Sequence, residues 1–246
     1  MISLPLFLVA AVAMFASATV QGATGFGFVI IAAPVLTSFM APTLAVPVLV
    51  VEGFVMTTIL MSRVYRDARP KRVALLSLFG VAFIPLGTVL LVTLDESVIK
   101  VMLGVVVGVT AAAMLGGFQR TAGNEQVASV PVGMASGLLM GSTGLAGAPV
   151  ILFFANQGVD PRQFRANITT YLLVVGLFAM PSFLIGGVLT RDVWVLVAGL
   201  TPGAVAGLFT GIWLSSRIST VLFRRLALMV VLVAAGGAIV SGVAGL

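Results

Sequence analysis

The sequence predicts an all-α polytopic membrane protein of two inverted-topology repeats, each a Gly-broken helical hairpin followed by three transmembrane helices. Three observations predict it. Of 246 residues, 60% are hydrophobic and 8% charged, where soluble domains carry about 25% charged residues. Two polar, glycine-rich breaks, "QGATGFG" at 21–27 and "MGSTGLAGAP" at 140–149, interrupt apolar runs. The basic residues collect in loops whose alternation orders the spans.

The elements follow in chain order. The apolar segment 3–20 lacks the basic flank of a secretory signal and reads as a retained span. The first break joins it to the short segment 25–40. Segments 43–64, 73–93 and 97–118 each reach the length of about 20 residues that a crossing needs. Segments 130–141 and 148–157 are short and joined by the second break. In "GVDPRQFRAN", Asp160 is placed to cap a helix that Pro161 opens, leading into the span 164–187. Segments 193–214 and 219–244 complete the chain, with Trp194 and Trp213 as interfacial anchors. The expected organisation is a first repeat over 1–118, a cytoplasmic linker over 119–129 and a second repeat over 130–246.

The loop "RVYRDARPKR" at 63–72 holds Arg63, Arg66, Arg69, Lys71 and Arg72. Placed in the cytoplasm, it fixes every other loop by alternation. Arg120, Arg162, Arg165, Arg217, Arg224 and Arg225 join it, and only Lys100 and Arg191 fall outside, so basic residues divide eleven to two. Both termini are then expected on the outer side of the membrane. Each half has one hairpin and three spans; three is odd, so the halves must be inverted. Gly22-Ala23-Thr24-Gly25 aligns with Gly141-Ser142-Thr143-Gly144 at an offset of 119, which also carries Pro42 onto Pro161. Gly87 and Gly211 match at 124.

With no Cys and no His, thiol catalysis, Fe–S clusters and most zinc or copper sites have no ligands, and the commonest general base is missing. No metal or other cofactor is expected. The net charge of +6 reports topology rather than nucleic-acid binding, since no basic face is interleaved with aromatics. A non-helical break at membrane depth survives only inside protein or beside a water-filled cavity. Half-helix N-termini with free N–H groups are how inverted-repeat carriers hold anions near the midplane. Two such breaks nominate Thr24, Gly25, Thr143 and Gly144 as anion-binding residues, then Gln21 and Ser142. Small residues also serve close helix packing, the plainer reading of either break alone.

Glu52 is the acidic residue well inside a span, a placement costing about 2.5–3.5 kcal/mol on insertion scales. It is a candidate proton-coupling or gating group, with a structural hydrogen bond as the plainer role. The 119 offset sets it opposite Tyr171. Asn167, Thr170 and Tyr171 share one helix face and line the expected path. Arg165 is a candidate for that path, whereas Arg162 reads as a topology signal.

The segments "QGATGFGFVIIAAPVL" and "GLLMGSTGLAGAPVILFFANQGVDPRQFRANITTYLL" resemble the TauE/SafE family of membrane permeases, also called the toluene sulfonate uptake permeases. The resemblance extends over essentially the whole chain. Where many members carry GxGGG followed by Pro, this chain has Gly25-Phe26-Gly27 with Pro34 and Gly144-Leu145-Ala146-Gly147 with Pro149. The resemblance implies transport of sulfur-containing or carboxylate anions, such as sulfite, sulfoacetate, sulfonates and thiosulfate, in a bacterial inner membrane, where both termini would then lie in the periplasm, several members acting as exporters.

The expected function is therefore secondary transport of a small anion by alternating access, with protons as the candidate coupling ion. The expected partners are the anion and the lipid bilayer, with no nucleic acid and with a homodimer left open. A passive channel and a carrier of small carboxylates are the alternatives. An intramembrane enzyme would want paired carboxylates or a nucleophile–base pair, and a purely structural protein leaves the repeated breaks without a purpose.

Overall fold

The computed structural model describes residues 3–115 and 125–215. The described residues form nine α-helices and no strand. The first hairpin is α1 (Leu4–Thr24) and α2 (Phe28–Thr37), followed by α3 (Pro42–Val64), α4 (Pro70–Thr93) and α5 (Glu96–Leu115). The second is α6 (Glu125–Thr143) and α7 (Gly147–Asn156), followed by α8 (Pro161–Ile185) and α9 (Arg191–Leu214). Six helices are long and apolar enough to cross a bilayer: α1, α3, α4, α5, α8 and α9. The expected span 219–244, and with it Arg217, Arg224 and Arg225, lies outside the described residues, as does Arg120.

Three boundaries differ from expectation. The first break opens four residues late, because α1 runs on through Gln21-Gly22-Ala23-Thr24 and stops where Gly25 takes a φ of 93°. The second opens after Thr143, where Gly144 takes a φ of 75°. Only glycine enters the left-handed region at little cost, so helix-compatible Thr and Ser continue the arm and glycine ends it. The linker expected over 119–129 gives up its last five residues to α6. Arg72 there grips Glu125 with two guanidinium nitrogens, joining the starts of α4 and α6. Asp160 caps α8 as expected: its carboxylate accepts from Arg162 N (2.9 Å) and Gln163 N (3.4 Å).

The offset of 119 recurs in the boundaries themselves. It carries the end of α1 (Thr24) onto that of α6 (Thr143), α2 onto α7 in full, and the opening proline of α3 onto that of α8. It also recurs in packing. The most extensive helix pairs are α4 with α6 and α1 with α9, and both are held together by glycines. A β-carbon at Gly22 would overlap Leu208 O and meet Ile212 N on α9; one at Gly141 would overlap Ile84 O and meet Thr88 N on α4. Residues 22 and 141 differ by 119, and 84 and 88 differ from 208 and 212 by 124. The reciprocal contacts obey the same offsets, with Gly87 against Leu138 O and Gly211 against Thr19 O. Between helices in lipid, this close backbone approach provides the van der Waals contact that drives association.

Helices α3 and α8 run antiparallel: Phe54 packs near Gly176, while Met61, further along α3, meets Thr170, earlier in α8. The basic loop 63–72 lies at the face where α8 begins, since Asn167 Oδ1 accepts a 2.9 Å bond from Arg69 N. Trp194 and Trp213 are exposed at the two ends of α9, as interfacial anchors require.

Candidate functional site

Both breaks border one cavity of about 40 Å³, lined by Gln21, Gly27, Phe28, Thr57, Gly144 and Gly147 among others. That is room for roughly three water-sized particles, the scale of a small oxyanion. Its depth is central: Gly53, the middle residue of α3, and Leu172, next to the middle of α8, also line it. Tip meets tip, since a β-carbon at Gly144 would lie 3.3 Å from Val29 Cγ1.

The donors at this cavity come from the second arms. Gly27 precedes α2 with a φ of 101°, and Phe28, Val29 and Ile30 form the first turn of α2 on the cavity wall. The first N–H groups of a helix have no intrahelical acceptor, and these three find none among the described residues. They present the positive end of the α2 dipole to the cavity. At α7 the supply is smaller: Ala148 N bonds Leu145 O at 3.1 Å, Pro149 has no N–H, and Gly147 remains.

Gln21 and Gly144 are thus the nominated residues on the cavity wall. Gln21 donates one Nε2 hydrogen to Thr57 Oγ1 at 3.2 Å, and the second hydrogen of that NH2 group is left to donate. The hydroxyls differ from expectation. Thr24 and Thr143 end the first arms, at the negative pole of the helix dipole rather than the positive one. The Thr24 hydroxyl lies 2.8 Å from Val20 O and 2.7 Å from Phe26 O; Ser142 donates to Leu138 O (2.8 Å) and Thr143 to Leu139 O (2.9 Å). A hydroxyl has one hydrogen, so each is committed inside its own hairpin. These three residues shape the tips and donate nothing to the cavity.

Gly25 faces Arg165 instead, its would-be β-carbon falling on the Arg165 side chain. Arg165 donates from Nη2 to Gly22 O at 2.5 Å, while its buried Nε has no partner. At the second tip Gly144 packs near Val46, which the offset of 119 sets opposite Arg165. Asn167 receives the loop at Arg69 and leaves Nδ2 unpartnered. Thr170 donates to Ala166 O at 2.8 Å. The expected polar face of α8 does not line the central cavity, where α8 contributes Leu172.

Glu52 and Tyr171 are fully buried and equivalent by the offset, yet differ in bonding. Glu52 Oε1 accepts from Thr201 Oγ1 on α9 at 2.9 Å, and Oε2 has no partner. Tyr171 donates to Ser136 Oγ at 2.6 Å, and Ser136 donates to Ala146 O at 2.5 Å, so Tyr171 is anchored through Ser136 to the second break. Sequence reasoning did not single out Thr57 or the first turn of α2. The usable signal was Gly27, a second glycine just after Gly25, which marks the turn releasing the second arm.

The model of the sulfite exporter family TauE/SafE matches residues 9–238. No curated protein and no solved structure matches the chain. The matched region takes in both hairpins, the central cavity and all the helices but the first few residues of α1, and the family is one of membrane transporters of anions. A multi-pass helical chain with two helix breaks facing one mid-depth cavity agrees with that match over nearly its full length, and the chain belongs to the TauE/SafE sulfite exporter family.

Proposed function

We propose that this protein exports a small sulfur oxyanion, of the sulfite or sulfonate type, across a bacterial inner membrane by alternating access. The carrying observation is the first turn of α2, with three N–H groups lacking acceptors on the wall of a mid-depth cavity that both breaks border. An oxyanion has the acceptor oxygens those donors need, and a site built from backbone dipoles needs neither His nor Cys. Gln21, Gly144 and Gly147 complete the binding site, and Arg165 adds positive charge beside the first tip.

The halves 1–118 and 130–246 act as inverted repeats in this reading. Shared boundaries, reciprocal glycine contacts at the same offsets, and the antiparallel α3 and α8 support it. Rocking of one half against the other would move the cavity from one face to the other. Glu52 is the proposed coupling group, because its bond to Thr201 links the halves and its second oxygen is free to change partners.

The test is sulfite flux in proteoliposomes with and without an imposed pH gradient. Saturable flux driven by the gradient is expected, and Glu52→Gln abolishes the dependence on the gradient while exchange of sulfite for sulfite persists. Gln21→Leu raises the half-saturating concentration about tenfold, the value of one hydrogen bond to a charged ligand at about 1.5 kcal/mol. Absent sulfite flux, with flux of a small carboxylate instead, would reassign the substrate. Flux linear in concentration up to the solubility limit would replace the carrier with a channel.

A further inference from the structure

A second cavity, of about 660 Å³, opens beside the first tip. It is lined by Thr24 and Phe26 of hairpin 1, Ile151 and Ala155 of α7, and Arg162 and Arg165 of α8, among others. Because α8 begins at the face that carries loop 63–72, the cavity belongs to that face. It is more than large enough for a hydrated oxyanion. Among the described residues no acidic side chain lines it, and the nearest carboxylate in sequence, Asp160, is occupied in capping α8. Among the described residues, the two guanidinium groups on its wall have no ion partner.

Phe26 and Ile151 line both this cavity and the central one. They stand between the two, one from each hairpin. Phe26 is braced edge-to-face against Phe164, ring centroids 5.9 Å apart. An apolar pair across a polar path excludes water and ions until it parts.

Resting on the anion-transport reading, we propose that this cavity is a staging site for the anion, in which Arg162 and Arg165 concentrate oxyanions, and that Phe26 and Ile151 form the gate to the central cavity. Arg162, which the sequence alone reads as a topology signal, then has a second role. A cleft with charge of one sign and apolar walls focuses its field and raises the local counter-ion concentration about tenfold or more.

The chain has no cysteine, so single cysteines report accessibility without interference. Ala155→Cys is placed in the staging cavity and Thr57→Cys in the central one, in the otherwise unchanged protein in proteoliposomes. Both are challenged from the face of loop 63–72 with an anionic and a cationic methanethiosulfonate of similar size. At Ala155→Cys the anionic reagent is expected to react about tenfold faster, and Arg162→Gln to bring the ratio towards one, with Arg162→Lys keeping most of it. Thr57→Cys is expected to resist both reagents and to become reactive when Phe26→Ala is added. Equal reagent rates at Ala155→Cys, or a ratio indifferent to Arg162→Gln, would overturn the staging site. Labelling of Thr57→Cys with Phe26 intact, or continued resistance with Phe26→Ala, would overturn the gate. Each labelling readout is independent of flux, so a protein that shows this pattern but moves no sulfite would count against the transport reading alone.

Discussion

The two hairpin tips have the same backbone plan and opposite surroundings. Each ends its first arm on Thr, turns on a left-handed glycine and starts its second arm three residues later. Tip 1 borders the large cavity through Ala23, Thr24 and Phe26 and leaves three N–H groups of α2 without acceptors. Tip 2 is closed in: Ser142 and Thr143 are fully buried, and the Tyr171–Ser136–Ala146 relay pins the break. Chain geometry is duplicated, then, while the chemistry is not. One tip supplies donors and access, and the other supplies a fixed wall.

The largest effect is expected where the two halves are alike. Gly22→Leu and Gly141→Leu each drive a side chain into the backbone of the facing helix, and each should destabilise the protein by about 3 kcal/mol, read as a loss of monodisperse protein and a fall in Tm in detergent. Equal damage supports equivalence; a tolerated substitution in one half breaks it. Next comes Tyr171→Phe. It removes one buried hydrogen bond at tip 2 and should cost about 1 kcal/mol on thermal unfolding, with half-saturation for sulfite unchanged. A raised half-saturating concentration would mean that tip 2 binds the anion directly, and the contrast between the tips would fail.

The smallest effect separates shape from binding. Thr24→Val and Thr143→Val remove hydroxyls that donate inside their own hairpins. Each should shift stability by less than about 1 kcal/mol and leave sulfite half-saturation within about twofold. A tenfold loss of apparent affinity in either, about 1.4 kcal/mol, would return the hydroxyls to the binding site.

Legibility followed the range of the interactions. Helix existence, the two breaks and the N-cap at Asp160 are local matters of hydropathy, glycine and proline, and the sequence carried them. The reach of α1 to Thr24 was misjudged because polarity was read as a break. Gln21 and Thr24 are polar yet helix-compatible, and only Gly25 needs a backbone that a helix does not provide. For the same reason the sequence pointed to the first arms, whereas the cavity wall also carries the first turn of the second arm α2.

By itself, the sequence determined a helical membrane protein of this family, the position of both breaks to within a few residues, and the offsets of 119 and 124 at which glycines and prolines recur. These depend on composition and on neighbours in the chain. Only the tertiary structure decided that Gln21 meets Thr57, that Arg165 reaches back to Gly22 across 143 residues, and that Phe26 and Ile151 stand between two cavities. Those arrangements depend on which helix faces which, and helix packing in lipid is set by close backbone contact between distant glycines rather than by any pattern within one segment.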